Sequence, residues 1–171
     1  MKHLCFLFAL YEKNRMYKEG IERLLQHTLT DEVDFYIIVS GETTVQIPER
    51  DNVIVLRREN KGFDFGAWSY GLRNLLHRKY LYYFFANSSV SGPYMRYSVT
   101  RWYQPFIELF SPDVHLVGTG MDTQNIGKLL QYEKLYEYLY GKKRIYSYVS
   151  SMFFVLDDTG LSFLESINFF D

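Results

Sequence analysis

"NVIVLRRENKGFDFGAWSYGLRNLLHRKYLYYFFA", residues 52–86, carries a complete strand–helix–strand pattern. It opens on a strand-length apolar run, "NVIVLRR" (52–58), and closes on another, "YLYYFFA" (80–86). Between them stand a glycine-bearing loop over residues 60–66 and an apolar stripe at Phe65, Trp68, Leu72, Leu75 and Leu76. Short continuous apolar runs read as buried strands, and a 3.6-residue stripe reads as a helix. Strand, helix, strand is the unit that builds parallel sheets.

The same alternation precedes it. "HLCFLFAL" (3–10) reads as a first strand, Tyr17, Ile21, Leu24 and Leu25 share one helix face, and "DFYIIVS" (34–40) reads as a second strand. Beyond it, Trp102, Phe106, Leu109 and Phe110 predict a helix that Pro105 kinks or starts late. "VHLVGTG" (114–120) and "SSMFFVL" (150–156) are further strands, and "DDTGLSFLESI" begins a last helix. Residues 122–149 are polar and tyrosine-rich, with one helical stripe at Tyr132, Leu135, Tyr136 and Leu139. The expectation is one Rossmann-like α/β domain over residues 1–171, a mainly parallel sheet flanked by helices. The apolar end "NFFD" predicts either docking of the terminus or a chain cut before its natural end.

Composition narrows the function. The chain has 171 residues, 47% of them hydrophobic, which suits a globular domain with a real core. With 19 basic against 20 acidic side chains there is no cationic excess to neutralise phosphates, so no nucleic-acid partner is expected. A single cysteine, Cys5, excludes an internal disulfide and a cysteine-cluster zinc site. "MKHLCFLFALYEKN" has a basic start but lacks a small-residue cleavage site, and reads as a buried strand rather than a signal peptide. No apolar stretch is long enough to span a bilayer. A cytoplasmic protein is expected, working there or at the inner membrane surface. Sixteen tyrosines and 14 phenylalanines exceed what a core alone requires, and tyrosine rings suit stacking on sugars or bases.

In open α/β sheets, ligands bind beyond the carboxyl ends of the strands. Leu10, Tyr11, Ser40, Asn60, Gly62, Asp64, Phe65, Gly66, Asn87, Ser88 and Ser89 all fall at such ends, and form the expected ligand-binding set. Tyr11 is expected to stack on a base. In "NKGFDFG" the glycines let backbone approach a ligand or take positive φ, and the helix start favours a diphosphate. Asp64 would repel that phosphate by itself. It reads as a receptor for sugar hydroxyls or a divalent cation, or as a plain helix cap bonding near Ala67.

"RRENKGFDFGAWSYGL", the tyrosine-rich strand and "FFANSSVSGP" together resemble the GT-A glycosyltransferases of surface-polysaccharide assembly. The nearest likeness is to small domains from bacterial capsule and rhamnan pathways and from large algal viruses; "LVGTGM" and "SSMFFVLDDTGL" are similar to later segments. The resemblance implies a GT-A-like fold and transfer of a sugar from a nucleotide-diphosphate sugar to a glycan or lipid-linked acceptor. It also implies a manganese or magnesium ion on the diphosphate, held by an acidic D-x-D motif. This chain has Ala86-Asn87-Ser88-Ser89 in that place, which leaves Asp64 as the nearest metal ligand. Inverting transfer needs a carboxylate base, for which Asp122 is the first candidate, followed by Asp157 and Asp158. Those two also suit a helix entry. The departure from D-x-D keeps a second function open: a catalytically silent GT-A-like module that binds a nucleotide, a glycan or a protein partner.

Overall fold

The computed structural model describes residues 3–76, 79–93, 101–119, 121–125 and 145–170, with 121–125 and 145–148 traced through their backbone. The first half follows the predicted alternation: β1 (Leu4–Leu10), α1 (Arg15–Thr28), β2 (Val33–Ser40), β3 (Val53–Arg58), α2 (Phe63–Arg73) and β4 (Tyr82–Asn87). A short α3 (Gln104–Ile107) and β5 (Leu116–Gly118) come next, then β6 (Met121–Asn125), β7 (Ile145–Val149), β8 (Phe153–Asp157) and α4 (Asp158–Ser166).

Six strands form one sheet in the order β3-β2-β1-β4-β8-β5, with β6 and β7 pairing separately. β3, β2, β1 and β4 are mutually parallel, whereas β8 runs antiparallel between β4 and β5. The architecture is therefore α/β with a mostly parallel sheet flanked by helices, compatible with a Rossmann-like fold.

Alternating side chains of the buried strands feed two cores. On one face Phe6, Phe8, Phe35, Ile37, Phe84 and Phe153 pack beneath Ile21, Leu24 and Leu25 of α1 and beneath Trp102. On the other, Leu7, Tyr36, Ile38, Phe85 and Phe154 pack against Ala67, Trp68 and Leu72 of α2 and Leu161 of α4. Much of the aromatic content is thus core: the Phe85 and Phe154 rings stack at 4.7 Å, and buried Phe170 lies on Phe85 at 5.5 Å. Phe170 ties the end of the chain to the sheet.

Two predicted helices are shorter than their stripes. α2 stops at Arg73 with Asn74 as its cap, so Leu76, placed on the helical stripe by its spacing, is 71% exposed. The segment around Phe106 makes only the short α3, with Pro105 in the first turn, where its missing N–H does no harm. The ends of the tyrosine-rich segment are strands, Met121 pairing with Val149 and Asp122 with Tyr148; its predicted stripe at Tyr132, Leu135, Tyr136 and Leu139 lies outside the described residues.

Candidate functional site

Parallel pairing puts the carboxyl ends of β1, β2, β3 and β4 on one rim, with Ala9 opposite Asn87, Leu10 opposite Val39, and Ser40 opposite Arg58. α1 leaves β1 toward one core and α2 enters β4 from the other, so the chain reverses its winding between β1 and β4. Such a switch point opens a crevice at the carboxyl ends of its two strands.

At these strand ends, side chains distant in sequence are joined. The Asn87 Nδ2 amide donates to Asp64 Oδ2 at 2.7 Å, and Asn87 Oδ1 accepts from the Ser89 backbone N–H at 2.9 Å. Tyr11 N–H donates to Ser88 Oγ at 2.7 Å, and that hydroxyl donates on to Ala9 O at 3.2 Å. Asn87 is 5% exposed and Ser88 is also buried, which fixes this edge, while the Tyr11 ring is 43% exposed at the rim. Burial pushes the Asp64 carboxyl above its ordinary value, and the hydrogen bond from Asn87 opposes that shift.

The loop that carries Asp64 is bent sharply. Gly62 caps α2 with φ 77° and no side-chain cap bond, and Phe63 follows with φ 51°. Left-handed backbone suits glycine but is unusual for a bulky residue. Phe63 is nevertheless 85% exposed and makes the first residue of α2. Asp64 is therefore not the helix cap; it sits in the first turn with its carboxylate turned to Asn87.

The predicted set separates into groups. Asp64, Asn87, Ser88, Ser89 and Tyr11 are linked at the crevice; Asn60, Gly62 and Gly66 belong to its loop wall. Ser40 ends β2 on the same rim but is buried. Leu10 is 0% exposed, a core residue because the last position of β1 points inward, so only its backbone can border a ligand. Phe65 turns away, packing edge-on to Trp68 at 5.1 Å and to Phe169 at 5.5 Å. Asp157 and Asp158 stand at the opposite end of the sheet, since antiparallel β8 sets Asp157 against Tyr82, the first residue of β4. Asp157 caps α4 through Gly160 N–H at 2.7 Å and meets His115 Nδ1 at 2.8 Å. Asp122 lies on β6. Its strand pairs with β7 just before β8, whose approach contacts the crevice where Asn87 N–H donates to Met152 O at 3.1 Å.

Three residues were not singled out by the sequence. Glu12, after β1, accepts from Thr43 Oγ1 at 2.8 Å and from Thr44 N–H and Oγ1, tying the first two rim loops together and holding its pKa below the ordinary value. Phe63 is the exposed ring described above. Arg58, the last residue of β3, reaches under the loop, where Nη2 donates to Lys61 O. Only its place directly before the loop hinted at this.

Among the described residues, no group of three or more His, Cys, Asp or Glu side chains is placed to hold a metal ion. Asp64 could offer a carboxylate there to a cation shared with a ligand's phosphates, an arrangement magnesium accepts. No described helix is long and apolar enough to cross a membrane. No protein-family model and no curated protein matches the chain.

Proposed function

We propose that the chain is a GT-A-type glycosyltransferase that takes a sugar from a nucleotide-diphosphate sugar and passes it to a glycan or lipid-linked acceptor. The observation that carries this reading is the Asp64–Asn87 hydrogen bond, which joins segments 23 residues apart across the switch-point crevice. Such a crevice is where open α/β sheets take nucleotides, and the sequence around both residues is the part that resembles the family. In this reading the exposed ring of Tyr11 stacks on the base, and Asn60, Gly62 and Gly66 border the diphosphate with their backbone. Asp64 receives sugar hydroxyls or shares a manganese or magnesium ion with the diphosphate. The ion would neutralise the leaving diphosphate. Asp122 is the proposed base, taking the proton of the acceptor hydroxyl as the sugar's anomeric carbon is attacked.

Release of nucleoside diphosphate from UDP-, GDP- and dTDP-sugars, with and without manganese and acceptor glycans, tests the reading. At least one donor should be turned over by the wild type and not by Asp64→Asn. Turnover of none, with saturable nucleotide binding retained, would instead establish the silent binding module. That second reading draws on a specific feature: Asn87-Ser88-Ser89 fills the D-x-D position, and its amide occupies an oxygen of Asp64.

A further inference from the structure

The loop over residues 60–66 holds two consecutive left-handed residues, Gly62 at φ 77° and Phe63 at φ 51°. Backbone of that kind persists where the surroundings over-determine it, and Arg58 supplies the determination. Its Nη2 donates to Lys61 O, the carbonyl immediately before the bend, and its guanidinium carbon lies 5.8 Å from the centre of the Tyr70 ring. Its Nη1 is buried without a hydrogen-bond partner among the described residues. Leaving a buried donor unmatched is unfavourable, so something in the packing keeps it there.

Gly66 explains how the guanidinium fits. A Cβ at Gly66 would lie 2.6 Å from Lys61 O, 3.2 Å from Arg58 Nη1 and 3.4 Å from Nη2. The missing side chain is what lets the first turn of α2 close over the cation while Gly66 N–H bonds Gly62 O at 2.8 Å. Asp64 lies between these two glycines, so the same bend that Arg58 fixes aims the carboxylate at Asn87.

We infer that Arg58 is a positioning residue: with Gly66 it locks the loop in the bent form that delivers Asp64 to the crevice. The inference rests on the proposed function only for its effect on donor binding, since the lock itself can be read without a ligand. Lysine keeps the charge but lacks the planar guanidinium that lies over the Tyr70 ring while reaching Lys61 O, so Arg58→Lys should release the lock. Gly66→Ala should release it from the other side.

The experiment combines side-chain amide NMR of Asn87 with titration of UDP-, GDP- and dTDP-sugars into wild type, Arg58→Lys, Gly66→Ala and the double variant. The wild-type Asn87 Nδ2 proton bonded to Asp64 should be slow to exchange, and fast in each single variant. Affinity for the donor that the wild type binds should fall roughly 10- to 100-fold in each, as for a misplaced binding group. The double variant should be little worse than either single one, because both changes break one coupled unit. A merely structural arginine predicts otherwise: lower melting temperatures, with Asn87 protection and donor affinity unchanged. That result would overturn the inference. If the wild type binds none of the donors, the glycosyltransferase reading falls, and the Asn87 signal alone decides the lock.

Discussion

Replacing Asp64 in two ways separates its structural role from its proposed chemical one. Asp64→Ala strands the Nδ2 amide of Asn87, which is 5% exposed and has that carboxylate as its partner. An unmatched buried donor costs about 1–3 kcal/mol. Removing a half-buried charge offsets part of this, so the net loss should be about 1–2 kcal/mol. In a domain of this size that lowers the melting temperature by roughly 2–8 °C. Asp64→Asn keeps an oxygen to accept from Asn87 and removes the charge that burial disfavours, so at neutral pH its melting temperature should hold or rise. The sign with pH follows from the raised pKa. The folded state holds the Asp64 proton more tightly than the unfolded chain, so this group's contribution is full below the ordinary value of 3.8 and is lost as pH rises through the folded pKa. The advantage of Asp64→Asn over wild type should therefore shrink on acidification. Thermal melts of the three proteins between about pH 4 and 7 check this. An asparagine variant as unstable as the alanine one, or an alanine variant as stable as wild type, would mean that the Asp64–Asn87 bond does not hold this edge together.

Three other outcomes follow from the same geometry. Asp157→Ala removes the α4 cap and the His115 contact at the far end of the sheet, so it should lose about 1 kcal/mol by chemical denaturation and leave donor binding untouched. The Glu12 pKa is lowered chiefly by the Thr44 backbone N–H, so its tie between the rim loops should be complete above the ordinary value of 4.5 and lost as pH falls through the lowered one; an NMR titration in which the Thr44 amide fails to follow the Glu12 carboxyl would contradict this. Tyr11→Phe should preserve donor affinity and Tyr11→Ala should weaken it, with little change in melting temperature for either, because the ring is 43% exposed and the bond to Ser88 uses the backbone.

The fold was legible where apolar runs were continuous, because a strand buried on both faces needs nothing else to reveal it. β1 to β4 and the helices between them could be placed from "HLCFLFAL", "DFYIIVS", "NVIVLRR" and "YLYYFFA". Strand direction was not legible in the same way. "MFFVL" reads identically whether β8 runs with or against β4, and its antiparallel course is what carries Asp157 and Asp158 to the far rim. Helix ends were hidden for a related reason: Leu75 and Leu76 continue the spacing past Asn74, where the chain has already left the helix. Alternation alone brought Asp64 to Asn87. Phe65 defied its neighbours because its partner Phe169 lies far along the chain. Arg58 escaped notice because a basic residue at a strand end reads as solvated until Gly66 is seen to leave room for it.

Whether the crevice joined by Asp64 and Asn87 takes a nucleotide-diphosphate sugar can be read by calorimetric titration of UDP-, GDP- and dTDP-sugars. Wild type and Asp64→Asn are each titrated with manganese and with chelator. Wild type should bind at least one donor saturably and more tightly with manganese, and Asp64→Asn should lose that manganese dependence together with most of the affinity. Equal affinities in all four titrations, or no heat of binding from any donor to the wild type, would contradict this.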